Sequence, residues 1–138
     1  MHTELGELLE AYECELDILS FSYDMMGQML NKKHMEHRIE LLGVSDIYIY
    51  GGGYLGIQLY NAISQLVNVL NIVDKSGRLL MDIPNIPVMS LEKFRSVYRC
   101  QKIIITPIKH YQAIYRELSE FVPEDKMIFL GELLGGIL

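Results

Sequence analysis

Gly51, Gly53 and Gly56 stand in the order G-x-G-x-x-G, within Asp46-Ile47-Tyr48-Ile49-Tyr50-Gly51-Gly52-Gly53-Tyr54-Leu55-Gly56. Glycines at this spacing suit a phosphate. The first turns the chain sharply, the second lets backbone N–H groups approach an anion with no Cβ in the way, and the third lets a helix sit close on a strand. Unpaired N–H groups and the positive end of the helix dipole then face the anion. Asp74 lies eighteen residues beyond Gly56, where an acidic side chain can accept hydrogen bonds from ribose hydroxyls. A carboxylate there repels the extra 2′-phosphate of NADP, while Lys75 and Arg78 soften that exclusion. The competing role for Asp74 is to cap its own turn. The candidate ligand-contact set is Gly51, Gly52, Gly53, Tyr54, Leu55 and Gly56 of the turn, Asp74 and Lys75, and Thr106 and Pro107 at the end of a later strand.

Other chemistry is thinner. The glycine turn lacks the Gly-Lys-Ser/Thr of a P-loop. Tyr98 and Lys102 have the four-residue spacing of a proton-transfer pair, but Tyr98 ends a helix and Lys102 starts a strand, so no helix face joins them. Lys109 and His110 follow Pro107 at the expected ligand edge, where His110 is either a general base or a surface histidine at a helix start. His34 and His37 are three residues apart, as two metal ligands would be; no third ligand accompanies them, and Lys32, Lys33 and Arg38 point to a solvated basic face. Cys14 and Cys100 form no CxxC or paired pattern and read as reduced packing residues. No catalytic residue and no metal site is assigned.

The elements that must position the glycine turn follow from periodicity. Residues 4 to about 30 contain no proline and read as one helix, with Leu5, Leu9, Tyr12, Leu16, Leu19, Tyr23, Met26 and Leu30 spaced as a coiled-coil seam. Ile18, Phe21, Met25 and Met29 widen the apolar face, so one side can dock on the domain while the seam meets a second copy. A helix that only packs within its own chain is the alternative. Asn31 and Gly43 bound a second helix, whose apolar side is read as Ile39, Leu41 and Leu42. After the turn, Leu55, Leu59, Ile63 and Leu66 mark a helix, and Val67 to Val73 a buried strand ending at Asp74. Val88–Met89, a helix capped by Ser90, a strand over 102–106, a helix marked by Ala113, Ile114, Leu118 and Phe121, and a strand over 127–130 complete the alternation; the tail from Gly131 is weakly patterned. Strands alternating with helices predict a doubly wound parallel sheet in the order 3-2-1-4-5. The expected division is an N-terminal helical arm over 1–43 and an α/β ligand-binding domain over 44–138.

With 138 residues, half of them apolar, the chain can bury one full core. No apolar run reaches a membrane span, no signal-peptide pattern opens the chain, and the cytoplasm is the expected compartment. The net charge of −6 is uneven: residues 1–31 carry seven acidic groups and no Lys or Arg. An arm of that charge repels a phosphate backbone, which argues against nucleic acid as a partner.

The stretches Ile-Tyr-Gly-Gly-Gly-Tyr-Leu-Gly (49–56), Ile-Val-Asp-Lys (72–75), Ile-Pro-Val-Met-Ser-Leu-Glu-Lys-Phe (86–94) and Ile-Ile-Ile-Thr-Pro (103–107) carry a family resemblance. Together they resemble the Rossmann-type N-terminal module of bacterial capsular-polysaccharide nucleotide-sugar epimerases and dehydratases, and similar modules attached to sugar-modifying transferases. The resemblance covers about residues 44–131. It implies binding of NAD, or NADP, or a nucleotide sugar, with phosphates at Gly51, Gly53 and Gly56 and ribose at Asp74, and a role in polysaccharide biosynthesis. The chain departs from the full-length enzymes in having no catalytic domain and from the acetyltransferases in having no hexapeptide-repeat tail, which leaves an enzymatic activity unassigned; a separate catalytic partner accompanies the nucleotide-binding expectation. The same order of elements is similar to the NAD(H)-sensing domain of Rex-type redox repressors, but an acidic heptad helix stands where that family has a basic winged helix. A scaffold or ligand-sensing subunit acting through the N-terminal helix is the competing function.

Overall fold

A computed structural model of the chain describes residues 23–108 and 110–135. Five parallel strands form one sheet in the order β3-β2-β1-β4-β5: β1 Asp46–Tyr50, β2 Asn68–Asp74, β3 Val88–Ser90, β4 Lys102–Ile105 and β5 Met127–Phe129. This is the expected α/β Rossmann-like sheet. β1 is central because every residue from Ile47 to Tyr50 is apolar or aromatic and can be buried on both faces. Its side chains alternate between two cores. Ile47 and Ile49 join one cluster, and Tyr48 and Tyr50 the other.

The Ile49 face is covered by α1 (Tyr23–Leu30), α2 (Lys32–Leu42), α3 (Tyr54–Ile63) and α6 (Leu130–Leu134), through Met29, Met35, Ile39, Leu55, Leu59, Ile63, Leu133 and Leu134. The Tyr50 face is covered by α4 (Leu91–Val97) and α5 (Tyr111–Leu118), through Phe94, Ile114 and Leu118, with Phe94 packed edge-on against Tyr48. Local sequence sets the helix ends. Asn31 Oδ1 accepts the His34 N–H at 3.1 Å, and Ser90 Oγ accepts the Lys93 N–H at 3.1 Å. Gly43 turns left-handed at φ 64°, and its N–H and that of Val44 close α2 on Glu40 and Ile39 carbonyls.

Several local expectations shift. The seam positions from Leu5 to Leu19 lie outside the described residues, while Tyr23–Leu30 is helical. Leu41 is 60% exposed and Met35 takes the buried position instead, because the register of α2 is set by its dockings at Met35 and Ile39. Ala113 is exposed on α5. Cys100 is exposed at a left-handed turn, φ 70°, and does not pack; Cys14 lies outside the described residues. The tail contains α6, a five-residue helix with Leu133 and Leu134 fully buried. No described helix is long and apolar enough to cross a membrane.

A candidate ligand site at the carboxyl edge

All five strands point their carboxyl ends at one edge, and the chain reverses its direction of winding between β1 and β4, where open α/β sheets bind ligands. The glycine turn sits there. Gly51 donates its N–H to the Val73 carbonyl at 2.8 Å and has φ 115°, which a side chain rarely adopts. A Cβ on Gly51 would overlap Thr106 Oγ1, and a Cβ on Gly56 would overlap the Gly51 carbonyl oxygen. The first and third glycines therefore have the turning and close-packing jobs expected of them.

Gly52 is held on both sides. Its N–H donates to Asp74 Oδ1 at 3.0 Å, and its carbonyl accepts the Leu80 N–H at 2.7 Å. A Cβ there would stand 2.7 Å from the Arg78 carbonyl oxygen, so the β2–β3 loop lies directly on this residue. Asp74 Oδ2 accepts the Ser76 N–H at 3.0 Å and the Ser76 hydroxyl at 2.5 Å. Asp74 thus fastens the loop to the glycine turn, and a ribose hydroxyl would compete with Ser76 for it. Gly53 differs from its neighbours. It is the N-cap of α3, no side chain caps the helix, its backbone is extended at φ −82°, and a Cβ on it would meet nothing within 4 Å. The first-turn N–H groups of α3 are those that an α-helix leaves without internal partners.

Among the remaining candidates, Leu55 and Gly56 are buried and Tyr54 is half-buried against the Ile49-side core. Lys75 is exposed and 3.8 Å from Glu117, a solvated surface pair. Thr106 is 2% exposed, and its hydroxyl donates to the Tyr50 carbonyl at 2.8 Å, so it splints β1 to β4 beneath the turn. Pro107 stands half-buried beside Gly51.

From Thr106 and Pro107 a cavity of about 660 Å³ extends over the ends of β4 and β5, away from Asp74. Its walls include Ile108, Tyr111, Phe129, Glu132 and Arg38. The Tyr111 and Phe129 rings meet edge to face at 5.3 Å, and Tyr115 stacks on the same Phe129. Arg38 enters from α2: Nε donates to the Leu133 carbonyl at 2.9 Å and Nη2 to the Glu132 carbonyl at 3.0 Å, while His34 Nε2 lies 3.0 Å from the Leu134 carbonyl. These two side chains, one helical turn apart, hold the last carbonyls of α6. Their partners are about a hundred positions away in sequence, so the basic run 32–38 gave no local sign of the arrangement. His34 is therefore engaged with α6 and does not belong to a freely solvated face.

The Tyr98–Lys102 pair lies at the opposite edge of the sheet. Tyr98 donates to the Gln101 carbonyl at 2.8 Å, and Lys102 Nζ to the Leu42 carbonyl at 2.7 Å. His110 is exposed at the N-cap position of α5; Lys109 lies outside the described residues. Tyr50, at the carboxyl end of β1, has its phenol pushed up to about 12 by burial, with Glu117 and Asp74 adding negative charge nearby. It stays neutral at any physiological pH. Comparison of the chain with protein-family models, with curated proteins and with solved structures finds no match.

Proposed function

We propose that this chain is a nucleotide-binding domain that takes a nucleotide sugar or NAD-type ligand, with its phosphates at the start of α3 and one end of the ligand running past Thr106 and Pro107 into the adjoining cavity. The observation that carries this reading is the contrast at the turn: Gly51, Gly52 and Gly56 are glycines because the fold leaves no room for a Cβ, whereas Gly53 faces open space at a helix start. The fold gives Gly53 no steric reason to be glycine; an approaching anion does. The loop fastened over Gly52 by Asp74 and Leu80 crowds the β2 side of the turn, and the open cavity lies on the β4 side, beyond Thr106 and Pro107, where a ring attached to the phosphates has room. The resemblance to polysaccharide nucleotide-sugar enzymes points the same way. Among the described residues no residue set for a reaction is assembled at the edge, and ligand delivery or sensing beside a catalytic partner is the role we propose.

Calorimetric titration with UDP-glucose, NAD and NADH tests the reading. Binding at or below roughly millimolar Kd by the wild type, abolished by Gly53→Val in a variant that melts normally, is the expected outcome. Failure of all three to bind folded wild-type protein would overturn it.

A scaffold that recruits a partner through the N-terminal helix is the second reading. Leu30, the last position of the heptad seam, is 69% exposed while its neighbour Met29 is 1% exposed in the core. The helix thus docks by one stripe and leaves a seam position facing outward.

A further inference from the structure

Arg38 is placed to do more than close α6. A guanidinium has five N–H donors arranged in a plane. Nε and one Nη2 proton are taken by the Leu133 and Glu132 carbonyls, which fixes the group's orientation and leaves the end-on pair, from Nη1 and Nη2, for another acceptor. The described ion pairs, Lys75 with Glu117 and Arg95 with Glu120, leave Arg38 out. It is a half-buried cation with no carboxylate within ion-pair distance among the described residues, and it lines the cavity. Gly135, left-handed at φ 82°, has no Cβ; one placed there would press on the guanidinium at 3.2 Å from Cζ and Nε. Tyr111 and Phe129 line the same cavity as Arg38, and its volume is that of a small-ligand site.

We infer that the cavity binds a ring whose far end carries a carboxylate, with the ring against Phe129 and Tyr111 and the carboxylate on the end-on edge of Arg38. A planar carboxylate matches two parallel N–H donors, which a neutral hydroxymethyl does not. Within the nucleotide-sugar reading, on which the identity of the ligand's other end rests, this makes the preferred ligand an acidic sugar nucleotide. Arg38 is then a specificity residue supplied by the helix that precedes the Rossmann-like unit.

UDP-glucuronate and UDP-glucose differ only in that carboxylate, so their affinity ratio isolates the Arg38 contact. Titration of the wild type should show UDP-glucuronate binding about tenfold or more tighter. In Arg38→Gln the ratio should fall to near one with UDP-glucose affinity little changed, and in Arg38→Lys it should be intermediate. Loss of the α6 cap lowers the melting temperature of both variants but acts on both ligands alike. Equal affinities in the wild type, or a preference that survives in Arg38→Gln, would overturn the inference and leave the nucleotide-sugar reading standing. Binding of neither ligand to folded protein would overturn both.

Discussion

At Gly56 an added methyl would occupy the place of the Gly51 carbonyl oxygen, and only separation of α3 from β1 makes room for it. Gly56→Ala should therefore cost about 2–4 kcal/mol in urea unfolding. Gly53→Val should change stability by under about 1 kcal/mol, the difference between a glycine and a poor N-cap residue, while removing ligand binding. The pair separates folding from function within four residues. Tyr50 and Tyr98 give a second residue-scale expectation. Burial raises both phenols to about 12 from an unfolded value of 10, with nearby negative charge adding to it. The folded state holds these protons more tightly, so their contribution is constant below pH 10 and is lost as pH rises from 10 toward 12. Denaturation midpoints should be flat from pH 8 to 9.5 and fall above 10, together with phenolate absorbance on unfolding.

Among the elements, strands and capped helices were legible because their signals are local. Asn31, Gly43 and Ser90 mark helix ends by side-chain or backbone chemistry within four residues, and the glycine spacing places a turn between a strand and a helix. Asn31→Ala should cost about 1 kcal/mol in thermal or urea unfolding, the ordinary value of an N-cap. What the sequence did not disclose was non-local. The cavity draws Arg38 from α2, Tyr111 from α5, Phe129 from β5 and Gly135 from the end of α6, and no spacing rule connects those positions. Asp74 is the intermediate case. Its distance from Gly56 suggested a ribose ligand, and its oxygens are found fastening the β2–β3 loop through Gly52 and Ser76. Spacing located it at the right edge without telling which groups would reach it first.

For the molecule as a whole, the sheet order was readable because parallel strands joined by right-handed crossovers leave few topologies. The relation of the N-terminal helices to that sheet was not, since Met29, Met35 and Ile39 carry the same periodicity whether they meet this chain or another. They pack into the Ile49-side core with Leu59, Ile63 and Leu133. Leu30 and Leu41 remain outward, at 69% and 60% exposure. Leu30→Glu should leave the monomer's stability nearly unchanged; if the seam pairs two copies, it should convert a dimer to a monomer in sedimentation. A dimer that survives Leu30→Glu would show that the seam is not the interface.

The bond from Arg38 to the Leu133 carbonyl spans 95 positions, and this has a consequence for biosynthesis. At about 5–20 residues per second, a ribosome needs roughly 5 to 20 s to deliver the second partner after the first. During that interval Met29 and Met35 have no Leu133 and Leu134 to pack against, and the wall of the cavity beside Arg38 is open. The nascent chain passes through a stage with most of its sheet strands made and an uncovered apolar edge, the kind of surface that chaperones hold. The Arg38 wall of the cavity is completed only when the last described helix has been made.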